Sequence, residues 1–152
     1  MNKHDFEREI VVYLFQTSNA MQKNIDRTLK EHHITTKQFF MMIFIGSFGY
    51  DPKLGELAER FGTSHQNTKQ VLLKLEKIGY VELYKDEKDT RITRVRHTKN
   101  AHSFWQGRDN KDVKQMNTIF DSLTYDEAMQ LATLLKKVHV QLDILNKEAN
   151  DL

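Results

Sequence analysis

Two apolar faces separated by a three-residue turn set the strongest limit on how this chain can fold. In Leu54-Gly55-Glu56-Leu57-Ala58-Glu59-Arg60-Phe61, the residues Leu54, Leu57, Ala58 and Phe61 share one face of a short helix. Gly62 stands next, at the point where a left-handed residue ends a helix. Ser64 is then placed to cap the next helix, whose inner face is predicted to be Val71, Leu72, Leu75 and Ile78 and which Gly79 ends. Two amphipathic helices joined this tightly form a helix-turn-helix.

The segment after the second helix narrows the architecture further. Tyr80–Tyr84 and Ile92–His97 carry β-branched and aromatic residues, and the stretch between them, Lys85–Arg91, has no apolar side chain. This pattern predicts a two-stranded hairpin with a charged tip. Upstream, residues 4–30 contain no Gly or Pro and repeat apolar side chains at helical spacing. Thr35 and Gln38 form a capping box for a helix that runs to about Phe48, where Gly49-Tyr50-Asp51-Pro52 turns the chain. Downstream, Thr98 caps a long helix reaching to about Leu123. Thr124 and Glu127 form a second capping box, and Leu131, Leu135, Val138, Leu142 and Leu145 make a coiled-coil-like seam. The expected fold is mainly α with a small β-hairpin wing. It is one domain over residues 1–152, with a winged helix-turn-helix at 34–98 flanked by long N- and C-terminal helices at 4–30 and 99–152.

The second helix of such a unit is narrow enough to enter the major groove of DNA, which is ~12 Å wide. With the apolar residues turned inward, its outward set is His65, Gln66, Asn67, Lys69, Gln70 and Lys74, and Ser64 adds a hydroxyl at the helix N-terminus, which favours phosphate. Amides suit adenine, and lysine suits guanine or phosphate. The hairpin adds Lys88, Asp89, Arg91 and Arg94 as wing candidates; Arg94 and Arg96 read as phosphate contacts or as solvated side chains. Residues 63–100 hold nine Lys/Arg against five Asp/Glu, an excess of +4, although the whole chain carries only +2. Double-stranded DNA is therefore the expected partner. The same pattern also occurs in helix-turn-helix proteins that bind no DNA, and a charged hairpin tip can be a plain solvated turn.

Composition removes other classes. The chain has no cysteine, which excludes disulfides, thiolate metal sites and cysteine nucleophiles. Its longest apolar run, Phe39–Gly46, is far short of the ~18 residues a membrane span requires. The charged N-terminal residues lack a signal-like apolar core, so a cytoplasmic protein is expected. No phosphate loop, GxGxxG or GxSxG is present, and no nucleophile–base pair is placed by spacing, so no enzyme and no cofactor are expected.

Taken in order, these segments resemble the MarR family of bacterial transcription regulators. Glu56-Leu57-Ala58-Glu59-Arg60-Phe61-Gly62 is similar to that family's first helix-turn-helix element. Leu75-Glu76-Lys77-Ile78-Gly79-Tyr80-Val81 is similar to its exit from the recognition helix, Asp89-Thr90-Arg91 to its wing motif, Thr98 to the threonine after the wing, and Ile34–Phe39 to the start of its second helix. Four positions depart from the pattern. Thr68 and Thr63 stand where apolar residues are usual, Gln70 where Arg is frequent, and Lys53 where Ser or Thr caps the first motif helix.

The resemblance implies a homodimer held by the first helix and the last two. Such a dimer would present two recognition helices ~34 Å apart to a pseudo-palindromic operator. It also implies that Arg91 enters the minor groove with Asp89 holding it, against the alternative of a surface ion pair without a DNA role. It further implies a repressor relieved by a small aromatic or phenolic effector, with Phe39, Phe40, Met41, Met42 and Phe44 as either pocket lining or plain core. Some similar regulators sense metals, but His32-His33 and His97/His102 lack ligand spacing, so no metal site is expected. The alternatives are a winged-helix module for protein interaction and a small metal-responsive regulator. Without cysteine, this chain cannot use the thiol-oxidation switch of some similar regulators.

Overall fold

The computed structural model describes residues 2–150, except for the side chains of Asp109, Lys111, Asp112, Val113, Met116 and Asn150. Residues 1, 151 and 152, included in the sequence-based domain limits, lie outside the described residues. The elements run in the expected order: α1 Lys3–Leu29, α2 Thr36–Ser47, α3 Leu54–Phe61, α4 His65–Ile78, β1 Val81–Lys85, β2 Thr93–His97, α5 Lys99–Phe120 and α6 Tyr125–Asn150. They form two compact units, residues 1–104 and 105–152, with the boundary inside α5.

Local chemistry accounts for the boundaries. Thr35 and Gln38 form the predicted capping box, with Thr35 N–H donating to Gln38 Oε1 at 2.8 Å and Gln38 N–H to Thr35 Oγ1 at 3.3 Å. The Asp26 carboxylate reaches across from α1 and accepts from both the backbone N–H (2.7 Å) and the hydroxyl (2.8 Å) of Thr36. Gly62 and Gly79 close α3 and α4 at φ 67° and 90°, a region a β-carbon disfavours. At α3 the absent Ser/Thr cap is replaced in part by Glu56, whose carboxylate accepts from the Lys53 backbone N–H at 2.7 Å. One turn carries no signal in the sequence. Residues Lys30–His32 form a 3₁₀ turn, and His33 ends it at φ 55° without any glycine to mark the place.

The core of the first unit is built from Leu29, Met41, Met42, Leu57, Leu72, Leu75, Val81 and Val95, each buried to 2% exposure or less. Phe104 packs edge-on against His32 and Phe39, and Tyr80 is tilted against it. The inner face of α4 differs from its prediction. Thr68, Leu72 and Leu75 are buried, Val71 is half-buried and Ile78 is exposed. The face is thus centred toward the N-terminal end of the helix, and Thr68 holds the apolar slot with a hydroxyl. Thr68 Oγ1 is buried with no hydrogen-bond partner among the described residues. A buried hydroxyl without a partner keeps its desolvation cost, so Thr68→Val should raise the unfolding free energy by about 1 kcal/mol in urea denaturation.

β1 and β2 pair antiparallel from Val81↔His97 to Lys85↔Thr93. A short third segment joins them: Val95 N–H donates to the Pro52 carbonyl at 3.0 Å, and Lys53 bridges to Arg94. The loop between α2 and α3 is therefore stitched to the hairpin.

In the second unit, Thr124 and Glu127 form the predicted capping box. The Glu127 carboxylate accepts from Thr124 N–H at 2.8 Å, and Glu127 N–H donates to Thr124 Oγ1 at 3.3 Å. The seam residues Leu131, Leu135, Val138, Leu142 and Leu145 are all exposed along α6.

Candidate nucleic-acid interface

All seven recognition-helix candidates, Ser64, His65, Gln66, Asn67, Lys69, Gln70 and Lys74, are exposed. Gln66, Asn67, Gln70 and Lys74 lie on the side of α4 away from Leu72 and Leu75, Lys69 lies at its flank, and Ser64 and His65 stand at its first turn, toward α3. Ser64 Oγ caps the helix by accepting from Asn67 N–H at 3.2 Å. The Asn67 amide also makes a long contact of 3.4 Å to Thr63 Oγ1, which ties it to the turn. A β-carbon at Gly55 would lie 3.1 Å from His65 Cε1, so the imidazole rests directly on the first turn of α3.

A groove of about 530 Å³ separates this end of α4 from the wing, and Lys53, Glu56, His65, Lys69 and Arg91 lie along it. In the sequence Lys53 marks only a missing helix cap. Its place beside Lys69 and Arg91 adds a further cation to the groove. Glu56, the carboxylate among these residues, is already engaged by Lys53 N–H and by the Tyr50 hydroxyl at 3.1 Å.

In the wing, Arg91 and Asp89 form a two-point ion pair, Nε to Oδ1 and Nη2 to Oδ2, both at 2.9 Å. The Arg91 side chain is nevertheless 88% exposed. Lys88 is exposed beside it. Arg94 is engaged within the fold. Its side chain is 26% exposed, its Nε donates to Asp86 Oδ2, and its Nη1 donates to the Asp51 carbonyl at 2.7 Å. The reason is β2 register: residue 94 lies between the Asp86 carboxylate of the hairpin turn and the Asp51 carbonyl of the α2–α3 loop. Arg96 pairs with Glu82 at 2.9 Å and lies over the Tyr84 ring at 4.7 Å.

These contacts set the charge states. The Arg94 guanidinium, helped by the backbone N–H groups of Asp89 and Lys88, pulls the Asp86 carboxyl down to about 2. The Arg91 side chain likewise holds Asp89 below the usual carboxylate range. Both pairs are ionised at neutral pH.

His97, at the end of β2, differs. Burial pushes its imidazole below the ordinary histidine value; a backbone hydrogen bond at Met42 acts the other way, and His102 adds to the lowering. Its Nε2 is buried without a partner among the described residues. The folded state thus favours the neutral ring, and the unfolded chain takes up the proton first. Stability should fall as the pH drops through about 6.5 toward the lower folded value. Denaturation midpoints at pH 7.5 and 5.5 measure this, and His97→Phe should reduce the difference between them.

Other sequence-named groups serve packing. Met41 and Met42 are fully buried, and Phe44 packs edge-on against Phe61. The His97 and His102 rings lie 6.1 Å apart. Among the described residues no three His, Asp or Glu side chains gather as metal ligands, and no helix is long and apolar enough to cross a membrane.

No family model matches the chain. Among curated proteins, the uncharacterised HTH-type transcriptional regulator YfiV of Bacillus subtilis is 27% identical over 143 residues, 93% of this chain and 88% of YfiV. The transcriptional activatory protein BadR of Rhodopseudomonas palustris is 24% identical over 106 residues. That match takes in 68% of this chain but only 61% of BadR's length. Three solved structures superpose along most of the chain. A MarR protein from Peptoclostridium difficile has a TM-score of 0.81 at 22% identity, covering 88% of this chain and 87% of its own. The organohalide-sensing regulator RdhR-CbdbA1625 in its 2,4-dichlorophenol-bound form has 0.83 at 18%, covering 95% and 88%. MepR of S. aureus in complex with DNA has 0.75 at 21%, covering 86% and 96%. With its helix-turn-helix, hairpin wing and long terminal helices matched in order, the chain has the fold of the MarR regulators.

Proposed function

We propose that this protein is a DNA-binding transcription regulator that acts as a homodimer. The observation that carries the reading is the joint exposure of the polar face of α4 and of Arg91 at the wing tip, on either side of one basic groove. The DNA complex of MepR supports the same use of the fold. In this reading Gln66, Asn67 and Gln70 meet base edges, Lys53, Lys69, Lys74 and Lys88 meet phosphates, and Arg91 enters the minor groove.

Dimer formation is supported by apolar side chains exposed along α1 (Phe6, Ile10, Tyr13, Leu14) and along α6. Two copies would read a pseudo-palindrome. Regulation is read as repression relieved by a small aromatic or phenolic ligand, supported by the dichlorophenol form of RdhR; BadR, by its name, activates.

The test is fluorescence anisotropy of the full chain on DNA from upstream of its own gene, across a salt series. Specific binding should weaken steeply, with a log–log slope near −0.9 per phosphate neutralised. Light scattering should give the mass of two chains. Absent or salt-independent binding to every DNA tested would refute the reading and favour a protein-interaction module.

A further inference from the structure

The wing tip is tied to the body of the protein by a continuous relay of charged groups. It starts at Arg91, clamped by Asp89 at two points. The backbone N–H of Asp89 donates to Asp86 Oδ1 at 3.0 Å, as does that of Lys88 at 2.9 Å, so one Asp86 oxygen folds the tip into its turn. The other Asp86 oxygen accepts from Arg94 Nε. Arg94 Nη1 then reaches the Asp51 carbonyl at 2.7 Å, and the Asp51 carboxylate accepts from the Tyr84 hydroxyl at 2.6 Å. Asp51 sits in the loop just before Pro52, whose carbonyl is bonded to Val95, and before α3.

The exposures separate two kinds of arginine. The Arg94 and Asp86 side chains are 26% and 13% exposed, against 88% for Arg91. A guanidinium that meets a phosphate has to present its N–H groups outward. Arg94 Nε and Nη1 are committed to a carboxylate and a carbonyl, so turning the whole guanidinium toward DNA would break the Asp86 contact. The strongly lowered Asp86 carboxyl value is consistent with an ion pair that stays closed throughout the neutral range.

We propose that Asp86 and Arg94 are positioning residues for DNA binding: by locking the wing tip to the α2–α3 corner, they fix where Arg91 stands relative to α4. The inference rests on the DNA-binding reading above. It assigns Arg94 a role through Arg91, with no contact of its own to DNA. It also gives Asp86, an acidic residue on a DNA-facing hairpin, a favourable effect on DNA affinity.

That last consequence makes the test sharp. Removing a negative charge near DNA strengthens binding if only electrostatics matter. A positioning role predicts the reverse: Asp86→Asn should weaken binding to the operator about tenfold, while the same substitution in an Arg91→Gln background should change affinity less than about twofold, as coupled sites do. Arg94→Gln should behave the same way, and Arg94→Lys, which keeps the charge but not the planar fork that makes both contacts, should recover part of the loss. Thermal melting of each variant is recorded alongside; should Asp86→Asn fail to fold, the Arg94→Lys and Arg94→Gln pair decides in the same double-mutant cycle. Tighter or unchanged binding by Asp86→Asn, or losses that add fully to that of Arg91→Gln, would overturn the positioning role while leaving DNA binding in place. If the wild-type chain binds no DNA, both readings fall together.

Discussion

Leu72→Ala should lower the unfolding free energy by about 2–5 kcal/mol, the range for a leucine truncated in a packed core. Leu72 is fully buried on α4, in line with Thr68 and Leu75, and α4 packs against α2, α3 and β1. A loss of that size is a large share of the ~5–15 kcal/mol that holds a typical domain together. The adjacent residue supplies the control. Leu73 is 41% exposed on the same helix, so Leu73→Ala should cost no more than about 0.5 kcal/mol. Urea denaturation of both variants measures the pair. The result bears on function because the rotation of α4 decides which side chains face outward. A larger cost at Leu73 than at Leu72 would mean that the helix is turned, and that Gln66, Asn67 and Gln70 are not the outward set.

The second large effect belongs to Arg91. Arg91→Gln should weaken operator binding by at least about tenfold and reduce the salt slope by about 1, since a cation at the DNA surface is lost. Its melting temperature should barely move, because an exposed ion pair contributes little to stability. Arg96→Gln serves as the comparison. Arg96 is committed to Glu82 and to the face of Tyr84, so its removal should leave DNA affinity within about twofold. If Arg91→Gln binds as the wild type does, the Asp89–Arg91 pair is only a surface contact and the wing does not touch DNA.

Much of this arrangement is legible in the amino-acid sequence, and the residues show why. Capping boxes at Thr35/Gln38 and Thr124/Glu127, and glycines at 62 and 79, announce themselves because the side chains or the missing β-carbon act within three or four residues. The outward set of α4 comes from helical periodicity alone. The features that stay hidden depend on partners distant in the chain. Arg94 looks like its neighbours Arg91 and Arg96 until Asp51, 43 residues away, is brought beside it. Lys53 looks like a poor helix cap until the groove places it near Lys69 and Arg91. The 3₁₀ turn at Lys30–His32 has no local marker, since its left-handed residue is His33. Thr68 stands out in the sequence as an unusual residue, but its buried, unpaired hydroxyl emerges only once the helix is packed.

A two-stranded sheet exposes two rows of backbone groups, and an open row invites a strand from another chain. In this hairpin both rows are interrupted. On the β2 side, Pro52 and Lys53 occupy the edge through Val95 and Arg94. On the β1 side, the Leu83 N–H that would face outward donates to the Glu76 carboxylate of α4 at 2.9 Å. Wing-to-wing pairing by strand addition, the step that leads an open hairpin to strand exchange or fibre-like stacking, is thereby disfavoured.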